Sequence, residues 1–204
     1  MPTSKRLRTA ALLCVLLPTA ACELTQPAAS RPTAAAAAAP ARAAAGAPSG
    51  GGQTALVLSS TQGRPGSVVT VAVKLNSGGA SIAGTQNDIV FEPRQVAVAA
   101  TSSGTPDCAA NPQLGKEGTA FSFLPPGCRS TAGDGCTSVR ALVLSLSNVA
   151  PIANGSVLYT CKVQIAPQAS PGAHALSLTR VGFSNPKGDA IAGGGVDGTI
   201  TVGQ

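Results

Sequence analysis

The chain has 204 residues, of which 44% are hydrophobic and 11% are charged, so it can form one ordinary hydrophobic core. Aromatic residues amount to 2%, against 24 Gly and 16 Pro residues, which favours a turn-rich β-framework over a helical bundle. The formal net charge is +6, but beyond residue 53 nine basic and seven acidic residues leave only +2. That balance gives no reason to expect a nucleic-acid partner.

The first 21 residues have the three parts of a secretory signal. A basic stretch over residues 5–8 is followed by an apolar run over residues 10–17, and small residues occupy positions 19–21. The apolar run is shorter than the roughly 20 residues that cross a bilayer, and no later segment reaches that length uninterrupted. The sequence therefore predicts an exported chain without a transmembrane helix.

The residue after the signal, Cys22, is the predicted lipidation site. The segment Thr19-Ala20-Ala21-Cys22 resembles the lipobox of bacterial lipoproteins, in which the cysteine thiol is acylated and becomes the first mature residue. This resemblance implies a lipid anchor in the membrane of the cell envelope, and Glu23 favours the outer membrane. The alternative is ordinary cleavage after Ala21, which would release a secreted protein with an exposed thiol.

Residues 22–53 are predicted to be a disordered tether. This stretch contains the hexa-alanine run of residues 34–39, several prolines and the run Ser49-Gly50-Gly51-Gly52, and it has one leucine as its only large apolar residue. The prolines leave helical runs shorter than an isolated helix needs. We expect a spacer whose ends lie on the order of 30 Å apart.

Residues 54–204 have the pattern of a single domain built of strands. In residues 68–75 apolar side chains recur at every second position from Val69 to Leu75, which is the period of a half-buried strand. Further strands are predicted at residues 55–60, 84–91, 95–99, 119–124, 139–146, 156–165, 174–181 and 199–202. About nine strands separated by Gly, Pro and Asn turns predict an all-β, antiparallel β-sandwich or jelly roll.

Asparagine and glycine form a turn signal late in the chain. Asn154-Gly155 stands between Ile152 and Val157, and both of its residues tolerate positive φ. The pair is typical of the tight turn of a β-hairpin.

Four cysteines remain after the predicted signal and Cys22 are set aside: Cys108, Cys128, Cys136 and Cys161. An even number in an exported chain predicts two disulfides, and the spacing has no C-x-x-C pair that would favour zinc. Three connectivities are possible. We favour Cys128 with Cys136, which closes a short loop, and Cys108 with Cys161, because Cys161 shares the predicted inward face of its strand.

Motifs of the common enzyme classes are weak. Gly193, Gly195 and Gly198 satisfy a dinucleotide-binding pattern formally, but they precede a predicted strand, and we interpret them as a flexible turn. His174 is the only histidine, and a structural role in its predicted strand is favoured over a catalytic triad.

Paired carboxylates for glycoside hydrolysis would have to come from seven acids: Asp88, Glu92, Asp107, Glu117, Asp134, Asp189 and Asp197. Each of them lies near turn residues, where acids are expected as caps and in Asx turns. We therefore expect no catalytic residue, no cofactor and no metal, and the chain is predicted not to be an enzyme.

Several segments together resemble cohesin domains, the receptor modules of cellulosome scaffolds. These segments are Arg64-Pro-Gly-Ser-Val-Val-Thr-Val-Ala-Val, Ile89-Val90-Phe91-Glu92-Pro93, Asn154-Gly155-Ser156-Val157-Leu158-Tyr159-Thr160, Ser170-Pro171-Gly172, Val181-Gly182-Phe183-Ser184-Asn185 and Gly198-Thr199-Ile200-Thr201-Val202. The likeness covers nearly all of residues 54–204. It implies a nine-stranded jelly roll related to carbohydrate-binding modules, with a flat sheet face that in cellulosomal cohesins docks a calcium-loaded dockerin.

The function expected from these observations is that of a non-catalytic binding module anchored to the cell envelope. Its partner would be a dockerin-like protein or a cell-surface polysaccharide, with a link to polysaccharide catabolism. Sugar rings usually stack on exposed Trp or Tyr, and the sequence has no Trp and one Tyr. The alternative is a purely structural envelope lipoprotein. Nothing in the sequence selects a docking face or its ligand-binding residues.

Overall fold

The computed structural model describes residues 52–128 and 135–204, and these form thirteen strands and one turn of 3-10 helix. The strands are β1 (Ala55–Leu58), β2 (Thr61–Gly63), β3 (Val68–Asn76), β4 (Gly84–Val90), β5 (Val96–Val98), β6 (Cys108–Ala110), β7 (Ala120–Leu124), β8 (Ser138–Val143), β9 (Val157–Ile165), β10 (Gly172–Ser184), β11 (Ala190–Ile191), β12 (Gly194–Val196) and β13 (Gly198–Val202). The 3-10 helix (Pro112–Leu114) is capped by Asn111, whose side chain accepts a hydrogen bond from the Gln113 N–H.

Two sheets pack face to face as a sandwich, which confirms the predicted all-β class. The six-stranded sheet has the order β12-β1-β3-β9-β5, with β6 also paired to β9. The seven-stranded sheet has the order β2-β13-β10-β4-β8-β7, with β11 paired to β10. Two pairings depart from the predicted antiparallel arrangement, because β1 with β12 and β2 with β13 run parallel.

The core lies between the sheets and is made by the alternation that the sequence shows. In β3 the side chains of Val71, Val73 and Leu75 are buried, while Thr70 and Lys74 on the opposite face are exposed. Equivalent residues of the other long strands are also buried, among them Leu56, Ile89, Val139, Leu158, Val163, Leu176 and Ile200. Burial of apolar surface at about 25 cal/mol per Å² makes this layer the main source of stability.

Four short strands account for the excess over the nine that were predicted. Strands β2, β6, β11 and β12 have two or three residues each, too few to show a period in the sequence. One of them, β12, falls in the segment interpreted as a flexible turn, so that interpretation is wrong.

The glycines of that segment are required by close packing. A Cβ at Gly193 would lie 2.5 Å from the Phe183 ring, and one at Gly198 would lie 2.6 Å from the carbonyl oxygen of Ser59. The strands there approach their neighbours so closely that only glycine fits. No helix follows these glycines, which run directly into β13.

The predicted Asn154-Gly155 turn is present, but the hairpin is not. Gly155 has a φ of +80°, and the Ser156 N–H donates to the carbonyl oxygen of Ala153. The strand before the turn, β8, belongs to the seven-stranded sheet, whereas β9 after it belongs to the six-stranded sheet. The turn therefore directs the chain from one sheet to the other.

The structure contains two disulfides in the favoured connectivity. Cys108 is bonded to Cys161 and joins β6 to β9, and Cys128 is bonded to Cys136 beside β7 and β8. The side chain of Cys161 is buried, as its place in the strand pattern predicts.

Several predictions fall on residues outside the described part. They are the secretory signal, Cys22 with its lipid anchor, nearly all of the tether and Asp134. These stay predictions. Within residues 52–128 and 135–204 there is no apolar helix of membrane-spanning length.

Candidate binding face

The four adjacent strands β10, β4, β8 and β7 present one continuous outward surface, which we call the outer face. Its outward-pointing residues include Gln86, Asp88, Val90, Ser122, Arg140, Leu142, Ser177 and Thr179. Small and uncharged side chains dominate this surface and leave it flat.

An ion-pair cluster lies in the middle of the outer face. Asp88 and Arg140 are direct cross-strand neighbours, and the Arg140 guanidinium donates from Nε to Oδ1 at 2.7 Å and from Nη2 to Oδ2 at 2.9 Å. Asp88 is 4% exposed although it points outward, because the arginine covers it. This bidentate hydrogen bond raises the pKa of Arg140 above its ordinary value, so the guanidinium stays protonated.

A second guanidinium approaches the same carboxylate from β10. The Nε of Arg180 lies 3.6 Å from Asp88 Oδ2, and 72% of the Arg180 side chain is exposed. Asp88 thus lies between two arginines, and the centre of the outer face carries one net positive charge.

A shallow groove continues the outer face toward the end of β10. Its volume is about 230 Å³, and its lining includes Gln86, Leu142, Leu144, Gly182 and Ser184. A second groove of about 190 Å³ shares Leu144 with the first and extends the apolar surface to Leu146 and Val149. Both grooves are too shallow to enclose a small substrate, so the arrangement suits contact with an extended surface.

The segment that carries Leu146 is held by a polar network. Lys116 Nζ donates to the carbonyl oxygens of Asn148 at 2.7 Å and Ala150 at 2.8 Å. Glu117 accepts a hydrogen bond from the Ser145 hydroxyl. Burial lowers the pKa of the Lys116 ammonium, and the Ser145 hydrogen bond lowers the pKa of Glu117. The network fixes a loop on which the Leu146 side chain is 94% exposed.

The acids considered for catalysis have structural partners. Asp107 pairs with Lys162 at 3.0 Å, Asp189 accepts from the Asn185 amide, and Asp197 accepts from a backbone N–H of β10. Glu92 is exposed on a turn. The expectation that every acid lies near turn residues is wrong for Asp88, which lies within β4. A carboxylate is tolerated at this strand position because the cross-strand neighbour Arg140 covers it and donates two hydrogen bonds to it.

The structure also bears on the single histidine and on metal binding. His174 Nε2 lies 2.8 Å from the carbonyl oxygen of Ser170, so the ring has a local backbone partner. Among the described residues no group of three or more His, Cys, Asp or Glu side chains is arranged to hold a metal ion.

Sequence reasoning missed the cluster on the outer face. Asp88, Arg140 and Arg180 are separated by at least 40 positions from one another along the chain, and only the strand register brings them together. A charged residue inside each of three predicted strands was the available signal, since strand interiors rarely carry charge.

Known structures with the same fold are cohesin domains. The complex of CaCohA2 with CaDoc0917 contains a chain that matches with a TM-score of 0.60 at 16% identity, covering 74% of this chain and 99% of that one. A non-cellulosomal cohesin from Archaeoglobus fulgidus matches with a TM-score of 0.54 at 14% identity, covering 75% and 93%. The sixth cohesin of Acetivibrio cellulolyticus scaffoldin B, solved with the Cel5 dockerin, matches with a TM-score of 0.56 at 17% identity, covering 74% and 100%.

No protein-family model and no curated protein sequence matches the chain. The resemblance to cohesin domains is therefore confirmed at the level of the fold.

Proposed function

We propose that this protein is a non-catalytic binding module whose outer face docks a dockerin-like protein. The observation that carries the proposal is the outer face itself, a flat surface whose centre holds the Asp88–Arg140 ion pair and the exposed guanidinium of Arg180. Arginine is enriched among the residues that contribute most to protein interfaces. The shared fold adds support, because solved structures with it are complexes of cohesins with dockerins.

The chemistry of the described side chains favours docking over catalysis. Each described acid except Glu92 is hydrogen bonded or ion-paired within the domain, so none of these paired acids is poised as a free general acid or base. All five aromatic residues are buried or half-buried, which disfavours stacking against a sugar ring. A link to polysaccharide catabolism then rests on the partner, which would be a polysaccharide-degrading enzyme carrying the dockerin.

The proposal includes export and a lipid anchor at Cys22 in the cell envelope, with the outer membrane as the favoured site. Two formed disulfides support an oxidising compartment. More than one acyl chain on the cysteine would make the attachment stable. A chain with Cys22→Ser should move from the membrane fraction to the soluble fraction and lose incorporation of labelled palmitate. Cys14→Ser, inside the predicted signal, is the matched control and should change neither.

Docking is tested with the full chain immobilised and probed with the secretome of its source, with captured proteins identified by mass spectrometry. We expect a protein carrying dockerin repeats to be retained. The variant Gln86→Lys, which places a long side chain on the outer face, should abolish retention. Thr160→Lys, on the outward side of β9 in the other sheet, is the control and should bind normally.

The same chain is also probed with an array of polysaccharides. Retention of a glycan without any dockerin would replace docking with direct sugar binding. Retention of neither would favour the purely structural envelope lipoprotein.

A further inference from the structure

Strand β10 contains a bulge where it pairs with β4 across the outer face. Thr179 pairs with Asp88 and Gly182 with Gln86, so two residues of β10 stand opposite one residue of β4. Arg180 lies in this bulge with a φ of +49°, and no other non-glycine residue of the described part has a positive φ. Glycine adopts this conformation readily, whereas an arginine there is strained.

The strain places a guanidinium on the outer face with its donors available. The Arg180 side chain is 72% exposed, and its 3.6 Å separation from Asp88 is longer than a hydrogen bond. Asp88 already accepts two hydrogen bonds from Arg140. Within residues 52–128 and 135–204 the Arg180 guanidinium makes no hydrogen bond, so its fork of N–H groups remains open to a partner. Strained residues of this kind concentrate at functional positions.

The surroundings of Arg180 define what it can bind. The only charged residues in the seven strands of this sheet are Asp88, Arg140 and Arg180. The same strands also contain the titratable His174. A polyanion needs a row of cations, which these strands do not offer. One open guanidinium on a flat surface whose other two charges pair with each other is complementary to a single carboxylate carried by another flat protein surface.

We propose that Arg180 is the anchor of the docking site and binds the carboxylate of an Asp or Glu side chain on the protein partner. Asp88 and Arg140 position the Arg180 side chain. The Asp88 carboxylate, which both arginines approach, keeps the Arg180 guanidinium close to the centre of the face. This inference rests on the proposed docking function and names the chemistry of the partner that the outer face selects.

The test uses the full chain as target and a phage-displayed library of the CaDoc0917 dockerin with randomised surface positions as probe. Clones selected on the wild-type chain are measured against Arg180→Gly, Arg180→Lys, Gln86→Lys and the control Lys74→Gln. The control removes one charge from the outward side of β3 in the opposite sheet. We expect a recurrent Asp or Glu among the clones, an affinity loss of at least tenfold with Arg180→Gly, a smaller loss with Arg180→Lys, and none with the control.

The folding of the variant is measured by urea denaturation. Arg180→Gly should have a midpoint equal to or above that of the wild type, because glycine relieves the positive φ. If this variant unfolds at lower urea, Arg180→Asn replaces it, since asparagine also tolerates left-handed backbone.

Three other outcomes would overturn the inference. In the first, the clones are blocked by Gln86→Lys, but they bind Arg180→Gly normally or have no recurrent acid. Docking on this face would then stand, but Arg180 would not be its anchor. A library that yields no clone blocked by Gln86→Lys would overturn docking on this face together with the anchor. Polygalacturonate is passed over the same immobilised chains. Its retention by the wild type but not by Arg180→Gly, without acid-bearing clones, would make the partner an acidic glycan instead of a protein.

Discussion

The hydrogen bond between Tyr159 and Asn87 is a polar contact inside the hydrophobic core. Tyr159 reaches from β9 to Asn87 on β4, with oxygen–oxygen and oxygen–nitrogen distances of 2.9 and 2.8 Å, and both residues are at most 1% exposed. Burial raises the pKa of Tyr159, so the phenol stays neutral. The pair ties the two sheets together at one point.

Removing one partner of this pair should destabilise the domain more than removing both. Tyr159→Phe or Asn87→Leu leaves a buried polar group unpaired, at a cost of about 1–3 kcal/mol. The double variant replaces both groups by apolar ones and should recover part of the loss. Urea denaturation of the four chains gives the coupling energy. Strictly additive losses would show that the hydrogen bond does not contribute.

Glu117 should make stability depend on pH in the acid range. The hydrogen bond from Ser145 holds its pKa in the folded protein below the ordinary value of 4.5. The unfolded chain therefore takes up the proton more readily than the folded protein. The stability that the hydrogen bond from Ser145 to Glu117 contributes is present above pH 4.5 and is lost as the pH falls below it. In Glu117→Gln and in Ser145→Ala the acid side of the stability profile should be flatter. A profile identical to that of the wild type would contradict this role.

Among the elements, β6 is the one most dependent on a covalent link. It has three residues, pairs only with β9 at the margin of its sheet, and is bonded to β9 through Cys108–Cys161 across 53 positions of sequence. The other disulfide, Cys128–Cys136, spans eight positions. Chain-entropy arguments therefore assign different contributions to the two bridges.

Replacing each cystine pair by alanine should show that difference. Loss of Cys108–Cys161 should lower the free energy of unfolding by about 4 kcal/mol, and loss of Cys128–Cys136 by about 2.5 kcal/mol. Hydrogen exchange should also increase in β6 in the first variant and stay unchanged there in the second. Equal losses would show that loop length does not control the effect.

The longer strands could be predicted from sequence because each carries its own signal. Strand β3 shows the alternation over nine residues, so its buried and exposed positions follow directly. Strand β12 contains two glycines in three residues and has no such signal. The Asp88–Arg140–Arg180 cluster depends on cross-strand register and on the bulge at Arg180, which are tertiary properties that no local pattern encodes.

At the scale of the whole molecule, the described sandwich holds its own core. The buried apolar residues lie between Leu56 and Val202, and β1 and β13 belong to different sheets of the same sandwich. We therefore expect the domain to begin close to residue 54, as the sequence predicts, and to need none of the tether for folding.

Limited proteolysis of the full chain should confirm that boundary. Cleavage should concentrate before residue 52 and leave a resistant fragment that ends at residue 204, because strands with paired backbones resist proteases. The purified fragment should unfold at the same urea concentration as the full chain. A lower midpoint for the fragment would show that the tether contributes to stability.

The residue before the first strand and the last residue of β13 lie at opposite ends of the sandwich. The carbonyl of Thr54, just before β1, accepts from Gly194 near the last residues of β10, whereas Val202 of β13 pairs with Gly172 at the start of β10. The entry and exit points are therefore separated by about 35 Å of strand. A mechanical load between them would pull β1 and β13 lengthwise, so their ladder bonds would have to rupture together in shear. A sandwich built in this way can bear tension without being peeled open strand by strand.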